Sequence, residues 1–133
     1  MEKEYKWKVA AKCFTYNQRQ YITDTLNGFV LQQTDFPYVC CIVDDASTDG
    51  EQEVIKKYVA DNFDLSELGV AYKKETDDAH ITYARHRSNR NCFIAVIELK
   101  HNLFHERAKK AFLISEWIDN SEYIALCEGD DYW

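Results

Sequence analysis

Residues 38–43, Tyr-Val-Cys-Cys-Ile-Val, form an unbroken apolar run rich in β-branched side chains, bounded by Pro37 and by Asp44-Asp45. A strand with no polar alternation has no face to offer water, so it needs a layer packed against each side. That requirement selects a sheet with helices on both faces. The rest of the chain supplies matching parts. Val9, Ala10, Ala11, Lys12, Cys13 and Phe14 read as a mostly buried strand, and residues 92–99 and 123–127 as two more. Between the first two strands, Tyr21, Ile22, Leu26, Phe29 and Val30 recur with helical spacing.

Asp35-Phe36-Pro37 closes that helix, and Ser47 or Asp49 is placed to cap a second one with Val54, Ile55, Tyr58 and Val59 on its apolar face. A third helix is expected over residues 103–118, packing through Phe104, Ala108, Ala111, Phe112 and Trp117; residues 61–91 look polar and mostly irregular. The order strand, helix, strand, helix, irregular, strand, helix, strand predicts an α/β sandwich with a mainly parallel sheet in a single domain, residues 1–133.

Composition narrows the function. Sixteen Lys and Arg against 23 Asp and Glu leave a net charge of −7, which argues against a nucleic-acid partner. Four glycines and one proline leave no G-x-G-x-x-G and no G-x-x-x-x-G-K-[ST] loop, so a nucleotide would have to be held without a glycine-rich cradle. The five cysteines form no C-x-x-C and read as small buried residues of a reduced, cytoplasmic protein. A charged start argues against a signal peptide, and every apolar run is too short for a transmembrane segment.

In sheets of this kind, ligands bind beyond the carboxyl ends of the strands. Thr15, Tyr16 and Asn17 follow the first strand, Asp44 and Asp45 the second, and Glu128, Asp130 and Asp131 the last. Turn chemistry explains Asp44-Asp45 taken alone. Acids at the ends of two strands are harder to leave as solvated loops, because crowded like charges call for a cation or hydrogen-bond donors. A hard divalent ion, Mg²⁺ or Mn²⁺, suits an all-oxygen set and keeps positions open for phosphates. Tyr16 could then pack against a nucleobase and Asp45 accept a hydrogen bond from it.

The string Cys13-Phe14-Thr15-Tyr16-Asn17-Gln18, then Gln32 and Phe36-Pro37, then Val43-Asp44-Asp45-Ala46-Ser47-Thr48-Asp49-Gly50, and finally residues 123–133 ending in Glu128-Gly129-Asp130-Asp131-Tyr132-Trp133 resemble the family 2 glycosyltransferases. The likeness is to the bacterial branch with an "EGDDYW"-type metal motif, and it weakens between residues 61 and 91. It implies the GT-A fold, a Rossmann-like nucleotide-diphospho-sugar transferase sandwich, here cut after the D-x-D-type motif. By the resemblance, Thr15, Tyr16 and Asn17 line the nucleotide site, Asp45 accepts a hydrogen bond from the base, typically uracil, and Asp44 supports the turn.

The same resemblance makes Asp130 the principal metal ligand, with Glu128 in the motif's first acidic place and Asp131 beside it. A basic residue on the preceding helix, Arg107, Lys109 or Lys110, would meet the donor phosphates. The implied reaction is metal-dependent, inverting transfer of sugar from a UDP-linked donor to a glycan or lipid-linked acceptor hydroxyl, in cell-surface glycan synthesis. It would run in the cytoplasm or at the inner face of the membrane. Acceptor site and catalytic base are expected beyond Trp133, so these residues are expected to bind donor and metal without transferring sugar.

Assembly into an oligomer stays open. The alternative is a non-catalytic module that keeps the fold to bind nucleotide or protein. A phospho-acceptor receiver domain also pairs acids at a strand end, but it needs a lysine at a later strand, and Lys100 precedes the last acidic cluster.

Overall fold

The computed structural model describes residues 4–103 and 106–128, and of Arg107, Cys127 and Glu128 the backbone path. Its elements run β1 (Trp7–Thr15), α1 (Arg19–Val30), β2 (Tyr38–Asp44), α2 (Glu51–Asn62), β3 (Phe63–Asp64), β4 (Tyr72–Glu75), β5 (Ala79–His86), β6 (Cys92–Leu99), α3 (Arg107–Leu113), α4 (Ser115–Ile118) and β7 (Ser121–Glu128). The strands make one sheet in the order β3-β5-β6-β2-β1-β7, with β4 also paired to β5. β6, β2, β1 and β7 run parallel, and β5, β3 and β4 add an antiparallel wing.

The continuous apolar runs become the middle of this sheet. β2 and β6 are buried along their whole length, as strands covered on both faces must be. On one face, Ile22, Leu26 and Phe29 of α1 and Ile55 and Val59 of α2 pack on Cys13, Cys40, Ile42 and Ile94. On the other, Ile114 and Trp117 join Trp7, Val39, Cys41, Val43, Phe93 and Ile97. Each such side chain, fully buried, contributes roughly 1.5–3 kcal/mol.

Two expectations are corrected. Residues 61–91 are not mostly irregular: they hold β3, β4 and β5. In β5 the sequence Ala-His-Ile-Thr-Tyr buries Ala79, Ile81 and Tyr83 on one face and leaves His80 exposed and Thr82 half-buried on the other, a period of two that the polar residues disguise. β4 is exposed at all four positions and owes its order to the ladder with β5. The expected third helix is two, because Ile114 sits at φ −109°, ψ 6° between α3 and α4. Ile114 and Trp117 carry the packing there, whereas Phe112, expected inside, is 78% exposed. Among the described residues no helix is long and apolar enough to cross a membrane.

Candidate functional site

The parallel strands end on one edge, and register aligns their last residues. Thr15 pairs with Asp44, Asp44 with Glu98, and Phe14 with Glu128. Thus the segments after β1 and β2 and the end of β7 meet where the strand-end rule expects a ligand. Asp130 and Asp131 lie outside the described residues.

Two turns are laced together above this row. Asn17 has the left-handed φ of 51°, which Asn tolerates better than most residues. Its backbone N–H donates to Ser47 Oγ (2.9 Å), its Oδ1 accepts from the Thr48 N–H (2.8 Å), and its Nδ2 donates to Thr48 Oγ1 (3.3 Å). Asp49 extends the seam: Oδ2 accepts from the Arg19 N–H (3.0 Å), and Oδ1 accepts from the N–H of Glu51, satisfying an otherwise free donor at the start of α2. Gly50, at φ 92°, allows the sharp entry into that helix. Tyr16 is 45% exposed on the rim.

Asp44 and Asp45 are both buried, but differently bonded. Asp44 Oδ1 accepts from the Ser47 N–H (2.9 Å) and from Gln52 Nε2 (2.8 Å). Asp45 Oδ1 accepts from the Leu103 N–H (2.6 Å), and its Oδ2 lies 2.8 Å from Lys110 Nζ. The residue expected to accept from a base therefore has both oxygens engaged by the protein, one of them by a residue expected to meet phosphate. Arg107 opens α3, one turn before Lys110.

Two acids escaped sequence reasoning. Glu51 is fully buried; Thr15 Oγ1 donates to its Oε1 and Ser47 Oγ to its Oε2 (2.5 Å). Burial first, then a hydrogen bond with Asp44, push its carboxyl up to about 7, against the pull of the Ser47 and Thr15 hydroxyls. Glu98, in the next strand over, is also pushed up to about 7, by burial above all; Lys56, 3.9 Å away, opposes this and Asp44 adds to it. A signal existed for Glu51, which stands four and eight residues before Ile55 and Val59 on the inward stripe of α2. For Glu98 the signal was its place inside the continuously apolar run of β6.

Among the described residues no group of three or more His, Cys, Asp or Glu is arranged to hold a metal ion. The donor chemistry of Glu128, Asp130 and Asp131 nonetheless fits a hard cation, since all three are carboxylates, and the β7 register sets the backbone of Glu128 opposite Phe14.

A family model described as Glycosyl transferase family 2 matches residues 14–98. The uncharacterized protein Rv1520 of Mycobacterium tuberculosis (strain ATCC 25618 / H37Rv) and the uncharacterized protein Mb1547 of Mycobacterium bovis are each 31% identical to this chain over 119 residues, 90% of it. The chain spans 25% of the length of these curated relatives. Among solved structures, S. aureus TarS 1–349 in complex with UDP-GlcNAc is similar over 94% of this chain and 27% of its own, with a TM-score of 0.57 and 23% identity. TarS 1–349 in complex with UDP gives the same TM-score and identity over 28% of its length. That likeness is one of fold.

Proposed function

The chain belongs to glycosyl transferase family 2 and has its GT-A fold, and we propose that its sheet edge binds a nucleotide-sugar donor, UDP-linked, for transfer to an acceptor hydroxyl. The observation that carries this reading is the meeting of residues 15–17, Asp44-Asp45 and the end of β7 on one edge of the parallel strands. The UDP and UDP-GlcNAc in the similar TarS structures support the choice of donor class.

In this reading the Tyr16 ring packs against the base, and Asp45 accepts a hydrogen bond from it in exchange for one of its present partners. Lys110, released from Asp45, and Arg107 turn to the diphosphate. Thr15, Asn17 and Asp44 hold the two turns that frame the nucleotide. Glu128, Asp130 and Asp131 are the proposed ligands of a Mg²⁺ or Mn²⁺ ion, with Asp130 the principal one. When bound, such an ion supplies Lewis-acid neutralisation of the departing diphosphate.

Transfer proceeds by inversion. The acceptor oxygen forms its bond to the anomeric carbon as the bond to the diphosphate oxygen breaks, and a base takes the hydroxyl proton. Acceptor site and base lie outside these 133 residues in this proposal, supported by relatives about four times as long. The whole enzyme would work in the cytoplasm, at the inner membrane face, building cell-surface glycan.

Titration calorimetry with UDP, with and without Mn²⁺, tests the reading. Mn²⁺ is expected to strengthen UDP binding by the wild type and not by Asp130→Ala. Equal UDP binding with and without Mn²⁺ in the wild type would overturn the metal-assisted donor site, and no UDP binding at all would favour a non-catalytic module.

A further inference from the structure

Glu51 is the first residue of α2 and lies fully buried on the stripe it shares with Ile55 and Val59. A carboxyl group without water must find its partners in the protein or lose its charge. Its hydrogen-bond partners are the Thr15 hydroxyl at the end of β1 and the Ser47 hydroxyl in the turn after β2, and the Asp44 carboxyl, whose Oδ1 accepts from the N–H of the same Ser47, stands close enough to push the Glu51 carboxyl up. Two carboxyl groups share a hydrogen bond only if one carries a proton.

Asp44 shows where that proton is needed. Its Oδ1 has two donors, while its Oδ2 is buried with no N–H or hydroxyl partner among the described residues. A buried acceptor left without a donor is destabilising, because it has given up its water and gained nothing in exchange. Among the described residues no lysine or arginine pairs with Glu51. The charged groups around it are Asp44 of β2, with Glu98 of β6 in register behind it, Lys56 and the Lys73 of β4 facing Glu98, and Arg19 of α1, whose backbone N–H and guanidinium both bond Asp49.

We propose that Glu51 is a positioning residue of the donor site, a protonated acid that donates to Asp44 Oδ2 and locks the two nucleotide-framing turns to each other. The lock reaches both turns by single bonds. Ser47 Oγ, which donates to Glu51, accepts from the Asn17 N–H, and the carbonyl of Thr15, whose hydroxyl bonds Glu51, accepts from the Asp45 N–H (2.9 Å). Ionising Glu51 sets two like charges side by side in a buried place, removes the donor from Asp44 Oδ2 and loosens residues 16–17 and 45–48. The inference rests on the donor-site reading for its ligand, and on the side-chain geometry alone for the lock.

The experiment uses the chain labelled at glutamate carboxyl carbons, followed by NMR from about pH 5 to about pH 9, with UDP titrated at each pH. One glutamate resonance, absent from Glu51→Gln, is expected to titrate near neutrality, with the Asn17 and Ser47 amides shifting along with it. UDP affinity of the wild type is expected to fall about tenfold more between about pH 6 and about pH 8 than that of Glu51→Gln, which stays neutral and keeps an N–H donor for Asp44. Comparison with this variant cancels the titration of the UDP phosphate and of Glu98. A Glu51 that titrates in the ordinary carboxylate range, or a Glu51→Gln variant as pH-dependent as the wild type, would overturn the proposal. If UDP fails to bind at every pH while Glu51 titrates near neutrality and moves both amides, the lock is supported and the donor reading falls.

Discussion

Lys110 Nζ lies 2.8 Å from Asp45 Oδ2, with the two side chains only 12% and 8% exposed. The pair ties α3 to the turn after β2, and the Leu103 N–H on the other carboxylate oxygen closes the same corner. An ion pair this far from water is costly to break on one side, since the partner left behind is a buried charge.

That cost is measurable by a double-mutant cycle. Asp45→Asn, Lys110→Met and the double variant are expected to give a coupling energy of about 1–3 kcal/mol in urea unfolding, above the range of exposed pairs. A coupling within error of zero would mean the two groups do not meet in solution. Under the donor-site reading, Asp45→Asn also weakens UDP binding.

The acids at the sheet edge set a pH dependence of stability. Glu51 and Glu98 are pushed up to about 7 in the fold, against about 4.3 in an unfolded chain. The folded state then holds more protons than the unfolded state between those values. Their contribution is therefore full below about pH 4.3 and is lost as pH rises through about 7, at up to about 1.4 kcal/mol per pH unit for each group. Urea unfolding between about pH 5 and about pH 8 should show stability falling, with a shallower slope for Glu98→Gln. Equal slopes would remove Glu98 from the account.

Asn17 separates backbone strain from side-chain ties. Asn17→Ala places a poorly suited residue at φ 51° and deletes both bonds to Thr48. It is expected to lower the unfolding free energy by about 2 kcal/mol, and Asn17→Gly, which relieves the strain but not the lost bonds, by about 1 kcal/mol. Thermal or urea unfolding of the two variants checks the order. Equal losses would leave strain out of it.

Cys13, Cys40, Cys41 and Cys92 are reduced thiols buried in the sheet, and burial pushes the Cys41 thiol up. All four are expected to resist a thiol reagent in the native protein and to react on unfolding. Contact with Cys40 and Tyr38 holds the Cys92 thiol below its usual value, but without access that gives no reactivity. Native labelling at any of the four, mapped by mass spectrometry, would contradict the packing.

Periodicity and turn residues made much of this architecture legible. The apolar runs at 38–43 and 92–99 have no polar face, so they became strands sealed on both sides, and Ile22, Leu26 and Phe29 share one helix face. Those are properties of neighbours in the chain. β4 has no such pattern, and its four exposed residues take strand form only because β5 offers a ladder. Ile114 interrupts α3 and α4 while itself fully buried, which a helical pattern read along 103–118 does not anticipate.

The site divides the same way. Asp44, Asp45 and Thr15 were nameable from the sequence because strand ends are visible in it, and the fold brings Thr15 and Asp44 into register. By itself the sequence determined the central strands, the first two helices and which polar residues cap the parallel edge of the sheet. Only the tertiary structure decided that Lys110 closes on Asp45 across 65 positions and that Glu51 turns inward to Thr15 and Asp44. The reason is physical: pattern reports how a side chain divides between water and core, while the partner of a buried charge is set by which distant group the packing brings within hydrogen-bond reach.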